Sequence, residues 1–303
     1  MGFRLFRRIK QLQKEKKAVI LAHNYQPPEI QDIADVVGDS LELAQHATTL
    51  KEDIMIVCGV QFMAETVKIL CPDKKVILPA PDAGCPLADQ LTPEMILAAK
   101  EAHPGAEMVT YVNSTAACKA VSDITCTSSN AADVVRSLKG DTVLFGPDSN
   151  LGGFVQEQVP EKTIIMVPEG GNCPVHAIFT TKDAAWAKEQ GLMTMCHPEC
   201  PEDVRHACDI ITSTGGMIRE AKEAPGWMVL TEREMAFRLQ TEYPKKNFYT
   251  RDSAVCEDMK KITLKMVGKS LLDEGPEVIL PDDLMEKARA PIERMLAVSK
   301  PKE

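Results

Sequence analysis

A threefold internal repeat constrains this chain more than any other feature of its sequence. The segment AVILAHNY around His23 is answered by AEMVTYVNST around Asn113 and by LMTMCHPEC around His197, at spacings of 90 and 84 residues. A second set, VVGDS ending at Ser40, ITCTSS around Ser128 and IITSTGG around Ser213, recurs at 88 and 85. A third runs IMIVCG to Gly59, TVLFG to Gly146 and WMVLT to Thr231, at 87 and 85. The fourth, KVILPAPDAGCP, TIIMVPEGGNCP and NFYTRDSAVC, ends each time in a cysteine, so Cys85, Cys173 and Cys256 lie 88 and 83 apart. Self-similarity of this kind marks one supersecondary unit used three times.

Each apolar run is short and rich in β-branched residues, which reads as a buried parallel strand covered by helices on both faces. The segments LELAQHATTLKE, NAADVVRSLKG and GMIREAKEA between them are helical in pattern, and each follows a Ser, Thr or Asn suited to capping a helix start. The prediction is an α/β chain of three homologous αβα units with small parallel sheets around a pseudo-threefold axis. The units span 1–85, 86–173 and 174–256. A tail over 257–303, with helical KKITLKMVGKSLL and MEKARAPIERMLAV on either side of VILP, is expected to pack back on the first unit.

In parallel sheets, function gathers beyond the carboxyl ends of the strands. All four polar sets sit there, and a threefold arrangement would bring three loops of each kind to one centre. Ten cysteines in a chain without an export signal point to reduced thiols, with metal or catalytic roles ahead of a disulfide framework. Three thiolates could hold zinc, although small zinc modules use close pairs such as C-x-x-C. They suit an iron-sulfur cluster equally in donor type, and three ligands would leave one iron open as a Lewis acid. Cys58 and Cys208 border apolar runs and read as core. Cys196 and Cys200 form a C-x-x-x-C spacing with a weaker claim as ligands, and Cys118 and Cys126 stay ambiguous.

His23, His176 and His197 fall beside strand ends with Tyr25, Tyr111, Asn113 and Glu199, a candidate acid-base pocket. His46, His103 and His206 lie in helical or surface-like patterns. Ser40, Ser128, Ser213 and Thr214 occupy strand-to-helix junctions, where capping explains each one singly and anion binding explains their recurrence.

Charge and hydropathy exclude other classes. A formal charge of −9 disfavours a nucleic-acid surface, and Arg4, Arg7, Arg8, Lys10 and Lys14 read as one solvated helix face. No stretch approaches the roughly 20 apolar residues of a membrane span, which places the chain in the cytoplasm.

The motifs AHNYQPPEIQDIADVVGDS, AGCPLADQLTPE, YVNST, TSSNA, PEGGNCPVH, HPECP, STGGM and AVCEDMKKITL, in this order from about Leu21 onward, resemble the quinolinate synthase family. The resemblance implies an enzyme of de novo NAD biosynthesis that condenses iminoaspartate with dihydroxyacetone phosphate to quinolinate, releasing phosphate and two waters. It also implies one four-iron four-sulfur cluster per chain on Cys85, Cys173 and Cys256, and a functional link to an aspartate-oxidising enzyme. By motif, Tyr25, Tyr111, His197 and Glu199 match catalytic positions. His23, Ser40, Tyr111, Asn113, Ser128, His176, His197, Glu199, Ser213 and Thr214 match substrate-binding ones. Longer relatives carry extra cysteines just before the third ligand; AVCEDM has none, which resembles the short subgroup.

The implied chemistry is a Schiff-base or enamine condensation, loss of phosphate, ring closure and dehydration assisted by the open iron, with no external redox cofactor. The isoprenoid diphosphate reductase and the diphthamide-synthesis enzyme resemble the same three-unit plan but lack HPECP and YVNST. A non-catalytic iron-sulfur sensor or scaffold would not need the clustered His, Tyr and Glu.

Overall fold

Every apolar run of the repeat becomes one strand. In the computed structural model, which describes residues 2–298, the first unit holds β1 (Ala18–His23), β2 (Val36–Gly38), β3 (Ile54–Cys58) and β4 (Lys75–Ile77). The second holds β5 (Glu107–Tyr111), β6 (Ile124–Cys126), β7 (Thr142–Gly146) and β8 (Thr163–Met166). The third holds β9 (Met193–Cys196), β10 (Ile210–Ile211), β11 (Gly226–Leu230) and β12 (Asn247–Tyr249). All pairings are parallel, in the orders β2-β1-β3-β4, β6-β5-β7-β8 and β10-β9-β11-β12. The chain is α/β with three four-stranded parallel sheets. Met1 and residues 299–303, which the expected first unit and tail include, lie outside the described residues.

Burial follows from strand order. The inner strands β1, β3 and β11 are buried along their whole length. The inner strands β5, β7 and β9 are buried beyond their first residue, whereas the outer strands β8, β10 and β12 are partly exposed, so the expectation of full cover fails there. An outer strand has one strand neighbour and less helix above it. The outer strand β6 is buried all the same, because the helix Asp282–Val298 lies over it.

Register brings the carboxyl ends of neighbouring strands level: His23 pairs with Gly38, Tyr111 with Cys126 and Cys196 with Ile211. The residues that follow therefore stand side by side, one loop entering a helix. In the first unit Asp39, not Ser40, caps the helix Ser40–Thr49. Its carboxylate accepts from Glu42 N at 2.9 Å while Glu42 Oε2 accepts from Asp39 N at 2.8 Å. This reciprocal box satisfies two orphan donors at once. Asn130 and Ser213 precede the equivalent helices Ala131–Ser137 and Thr214–Glu220.

The first two sheets and the tail share one continuous apolar core, while the third sheet packs two smaller clusters on its two faces. Of the tail helices, Leu264–Asp273 lies on the N-terminal helix Gly2–Lys16 and on β3. The helix Asp282–Val298 crosses to the second unit, against the helix Ala116–Ala120, and touches the helix Gln61–Leu70 of the first. Thr125 Oγ1 donates to Pro291 O at 3.3 Å there. Among the described residues no helix is long and apolar enough to cross a membrane.

One close backbone approach sets the loop that carries Cys173. A Cβ on Gly171 would lie 2.1 Å from Pro147 O, which no side chain can occupy without displacing backbone. Gly171→Ala is expected to destabilise the fold by about 1–3 kcal/mol and to displace this loop. Equilibrium unfolding checks it; an unchanged midpoint would show that the loop yields freely.

Candidate active site

The carboxyl ends of all three sheets border one shared cavity. Cys85, Cys173 and Cys256, from the loops after β4, β8 and β12, all line it. All ten cysteines are free. Burial raises the Cys85 thiol to about 12, that of Cys256 to about 11, and that of Cys173 well above its ordinary value. Ionising such thiols requires a cation among them. A carboxylate steadies the backbone at or beside each one: Cys173 N donates to Asp148 Oδ2 at 3.1 Å, Cys256 N to Glu232 Oε1 at 3.3 Å, and Gly84 N to Asp258 Oδ1 at 3.1 Å.

Glu199 is the hub of the polar wall. Its Oε1 accepts from the Tyr111 hydroxyl at 2.6 Å, and its Oε2 lies 2.9 Å from His176 Nδ1, a contact not aligned as a hydrogen bond. Burial pushes the Glu199 carboxyl up. The imidazoles of His176 and His197 and the Tyr111 hydrogen bond outweigh it and hold the carboxyl below its ordinary value, so it stays ionised. Cys173, His176 and Glu199 bring their donor atoms within 4.8 Å of one another.

Two histidines are held in one tautomer by the same local device. His23 Nδ1 accepts from Tyr25 N at 3.1 Å, and His197 Nδ1 accepts from Glu199 N at 3.4 Å. The proton then sits on Nε2, and in His197 it donates to Ser128 Oγ at 3.1 Å. Burial lowers both rings to about 3, assisted at His23 by Lys260. Both are neutral N–H donors to the cavity.

The depressed values carry a stability consequence. Each ring titrates near 6.5 when unfolded, so below that pH the unfolded chain binds protons that the folded chain refuses. The stability involved is complete above pH 6.5 and is lost as pH falls toward about 3. The slope is up to about 1.4 kcal/mol per pH unit for each ring. Denaturant unfolding between about pH 7 and 5 should show it, and His197→Gln should flatten it by roughly half. An identical slope in that variant would place the protons elsewhere.

Ser40, Ser128 and Thr214 line the cavity at helix starts, with Asn113 beside them. Thr214 Oγ1 accepts from Asn24 Nδ2 at 3.0 Å. Ser213 is placed differently: its hydroxyl accepts from Gly216 N at 3.2 Å and caps the helix that carries Thr214. Among the described lining residues none is Lys or Arg, so an anion would meet hydroxyls, imidazole N–H groups and helix N-termini.

A family model described as "Quinolinate synthetase A protein" matches residues 7–297. The chain belongs to the quinolinate synthase family. It is 51% identical over 298 residues to the quinolinate synthase of Pyrococcus furiosus, covering 97% of this chain and 98% of that one. It is 48% identical over 290 residues to that of Thermotoga maritima, covering 95% and 97%. With that of Methanothermobacter thermautotrophicus it shares 48% over 300 residues, covering 97% and 98%.

The sequence reading overlooked several residues of this family member's site. Thr231 ends the third repeated run, yet no chemistry was attached to it. Asp148 and Glu232 each follow the equivalent strands β7 and β11 by two residues, a spacing that could have found them. Asp39 lines the cavity, and burial beside Glu42 raises its carboxyl to about 6. Lys119 has no repeat partner; it is fully buried and donates to Val112 O at 2.9 Å and Ser114 O at 2.5 Å, bracing the loop of Asn113.

Proposed function

We propose that this chain condenses iminoaspartate with dihydroxyacetone phosphate to quinolinate, releasing phosphate and two waters, as a cytoplasmic step of de novo NAD biosynthesis. The observation that carries this reading is one cavity in which three thiols from three sheets face an ionised Glu199 hydrogen-bonded to Tyr111. An enzyme that oxidises aspartate would supply the iminoaspartate. The units 1–85, 86–173 and 174–256 are proposed as three domains about a pseudo-threefold axis.

The donor set fits a four-iron four-sulfur cluster held by Cys85, Cys173 and Cys256: three soft sulfur atoms, free of disulfides, on backbone already steadied by carboxylates. Such a cluster, when bound, supplies Lewis acidity at an iron without a protein ligand and so favours loss of hydroxide in the closing dehydration. The chain's own residues do the rest. Ser40, Ser128, Thr214 and Asn113 hold the carboxylate and phosphate groups of the two substrates, with Ser213 setting the helix start beneath Thr214. His23 offers an Nε2–H donor to substrate oxygens, and His197, through its Nε2–H to Ser128 Oγ, orients that hydroxyl toward them. Glu199 takes protons during condensation and ring closure, oriented by Tyr111, and Tyr25, its ring 6.4 Å from that of His176, works in the same cavity.

An anaerobic assay of the cluster-loaded chain with freshly generated iminoaspartate and dihydroxyacetone phosphate tests the proposal, and quinolinate is the expected product. Spectral response to both substrates without quinolinate would instead favour an iron-sulfur sensor.

A further inference from the structure

The cavity poses a charge problem. On the reading above it takes a dicarboxylate and a phosphate ester, yet none of its described lining residues is Lys or Arg, and Glu199 adds a negative charge of its own. A compensating charge stands just behind the wall. Three Lys or Arg side chains are buried among the described residues: Lys68, Lys119 and Arg205. Lys68 pairs with Glu277 at 3.2 Å and Arg205 with Glu157 at 2.8 Å. Lys119 alone of the three has no ion pair among the described residues.

The partners of Lys119 are uncharged. Its Nζ donates to Val112 O at 2.9 Å and to Ser114 O at 2.5 Å, on either side of Asn113, and stands 5.5 Å from the centroid of the Phe62 ring. Val112, Asn113 and Phe62 all line the cavity. Carbonyl oxygens and a ring face stabilise an ammonium without cancelling its charge. Glu65 acts on it from beyond ion-pair distance, its own oxygens taken by Ala116 N at 2.9 Å and Gln61 Nε2 at 3.1 Å. Burial lowers Lys119 to about 8, so at neutral pH it remains an ammonium. An unpaired buried charge is costly, and bracing a loop does not call for one, because a neutral amide can donate to the same two carbonyls.

We propose that Lys119 is a positioning residue whose unpaired charge draws the anionic groups of the substrates to the Asn113 side of the cavity. The inference rests on the condensation reading above. The ammonium acts through a wall of low dielectric, where a charge is felt more strongly than in water. Its attraction adds for each anionic group, so the affinity it confers depends on how many charges a ligand carries. Bracing of the loop alone would give no such dependence.

Lys119→Gln removes the charge and keeps N–H donors for the two carbonyls, whereas Lys119→Met removes both. Calorimetric titration of the anaerobic, cluster-loaded enzyme with quinolinate, which has two carboxylates, and with nicotinate, the same ring with one, separates charge from bracing. In both variants the Kd of quinolinate is expected to rise about 25-fold or more and that of nicotinate about fivefold. Equal losses for the two ligands would reduce Lys119 to a loop brace and overturn the proposal, as would full affinity in the glutamine variant. If the methionine variant does not fold, the glutamine variant decides alone. A wild-type enzyme that binds no quinolinate would sink the reaction reading and this inference with it, whereas equal binding by wild type and Lys119→Gln sinks the role of Lys119 only.

Discussion

Cys173→Ser is expected to abolish the visible absorption of the reconstituted chain, its bound iron and its formation of quinolinate, while Cys58→Ser leaves all three in place. The contrast is one of position. Cys173 lines the cavity with its thiol among the donor atoms of His176 and Glu199, and its backbone N–H is held by Asp148 whatever the side chain, so the variant keeps its loop. Cys58 closes β3 inside the apolar core, where burial pushes its thiol far up and no cation can reach it. A hydroxyl is a poor ligand for iron in a cluster, and two remaining thiolates cannot hold one. Metal analysis and absorbance of anaerobically reconstituted protein check the prediction. Iron and chromophore surviving in Cys173→Ala would sink the ligand assignment.

The second large effect is expected at Glu199. Glu199→Gln conserves shape, and the amide oxygen can still accept from Tyr111, but the base is gone and an amide N–H now faces His176 Nδ1. Losing a general base costs about 100 to 10,000-fold in rate. The expected result is an unchanged absorption spectrum, retained spectral response to substrates and quinolinate formation reduced by that factor. Near-normal turnover would assign the proton transfers to the histidines or tyrosines alone.

The two substitutions also separate two kinds of knowledge. Cys173 was identifiable because it recurs: the fourth repeated run ends in cysteine in all three units, and β4, β8 and β12 lead into those cysteines. Glu199 has no counterpart of its own type in the other units, where Tyr25 and Asn113 take its place, and its position beside a strand end and its motif marked it. Ser40 and Ser213 show how a repeat can mislead on detail. Both stand at a helix start, yet Asp39 takes the cap in one unit and frees Ser40 for the cavity, while Ser213 itself caps in the other.

Strand content, parallel pairing and the cysteine set were determined by the sequence alone, because each is a local or periodic property: short β-branched runs, their spacing, and one polar residue type repeated at each strand end. Which strands are fully buried was decided by tertiary structure, since β6 owes most of its cover to a helix more than 150 residues downstream. The pocket's chemistry was decided there too. Thr231 meets Tyr25 across 206 residues, and Tyr111 meets Glu199 across 88. A hydroxyl between two partners reads in sequence as the end of an apolar strand; only the closing of the units around a shared cavity sets Thr231 between a tyrosine hydroxyl and an imidazole nitrogen.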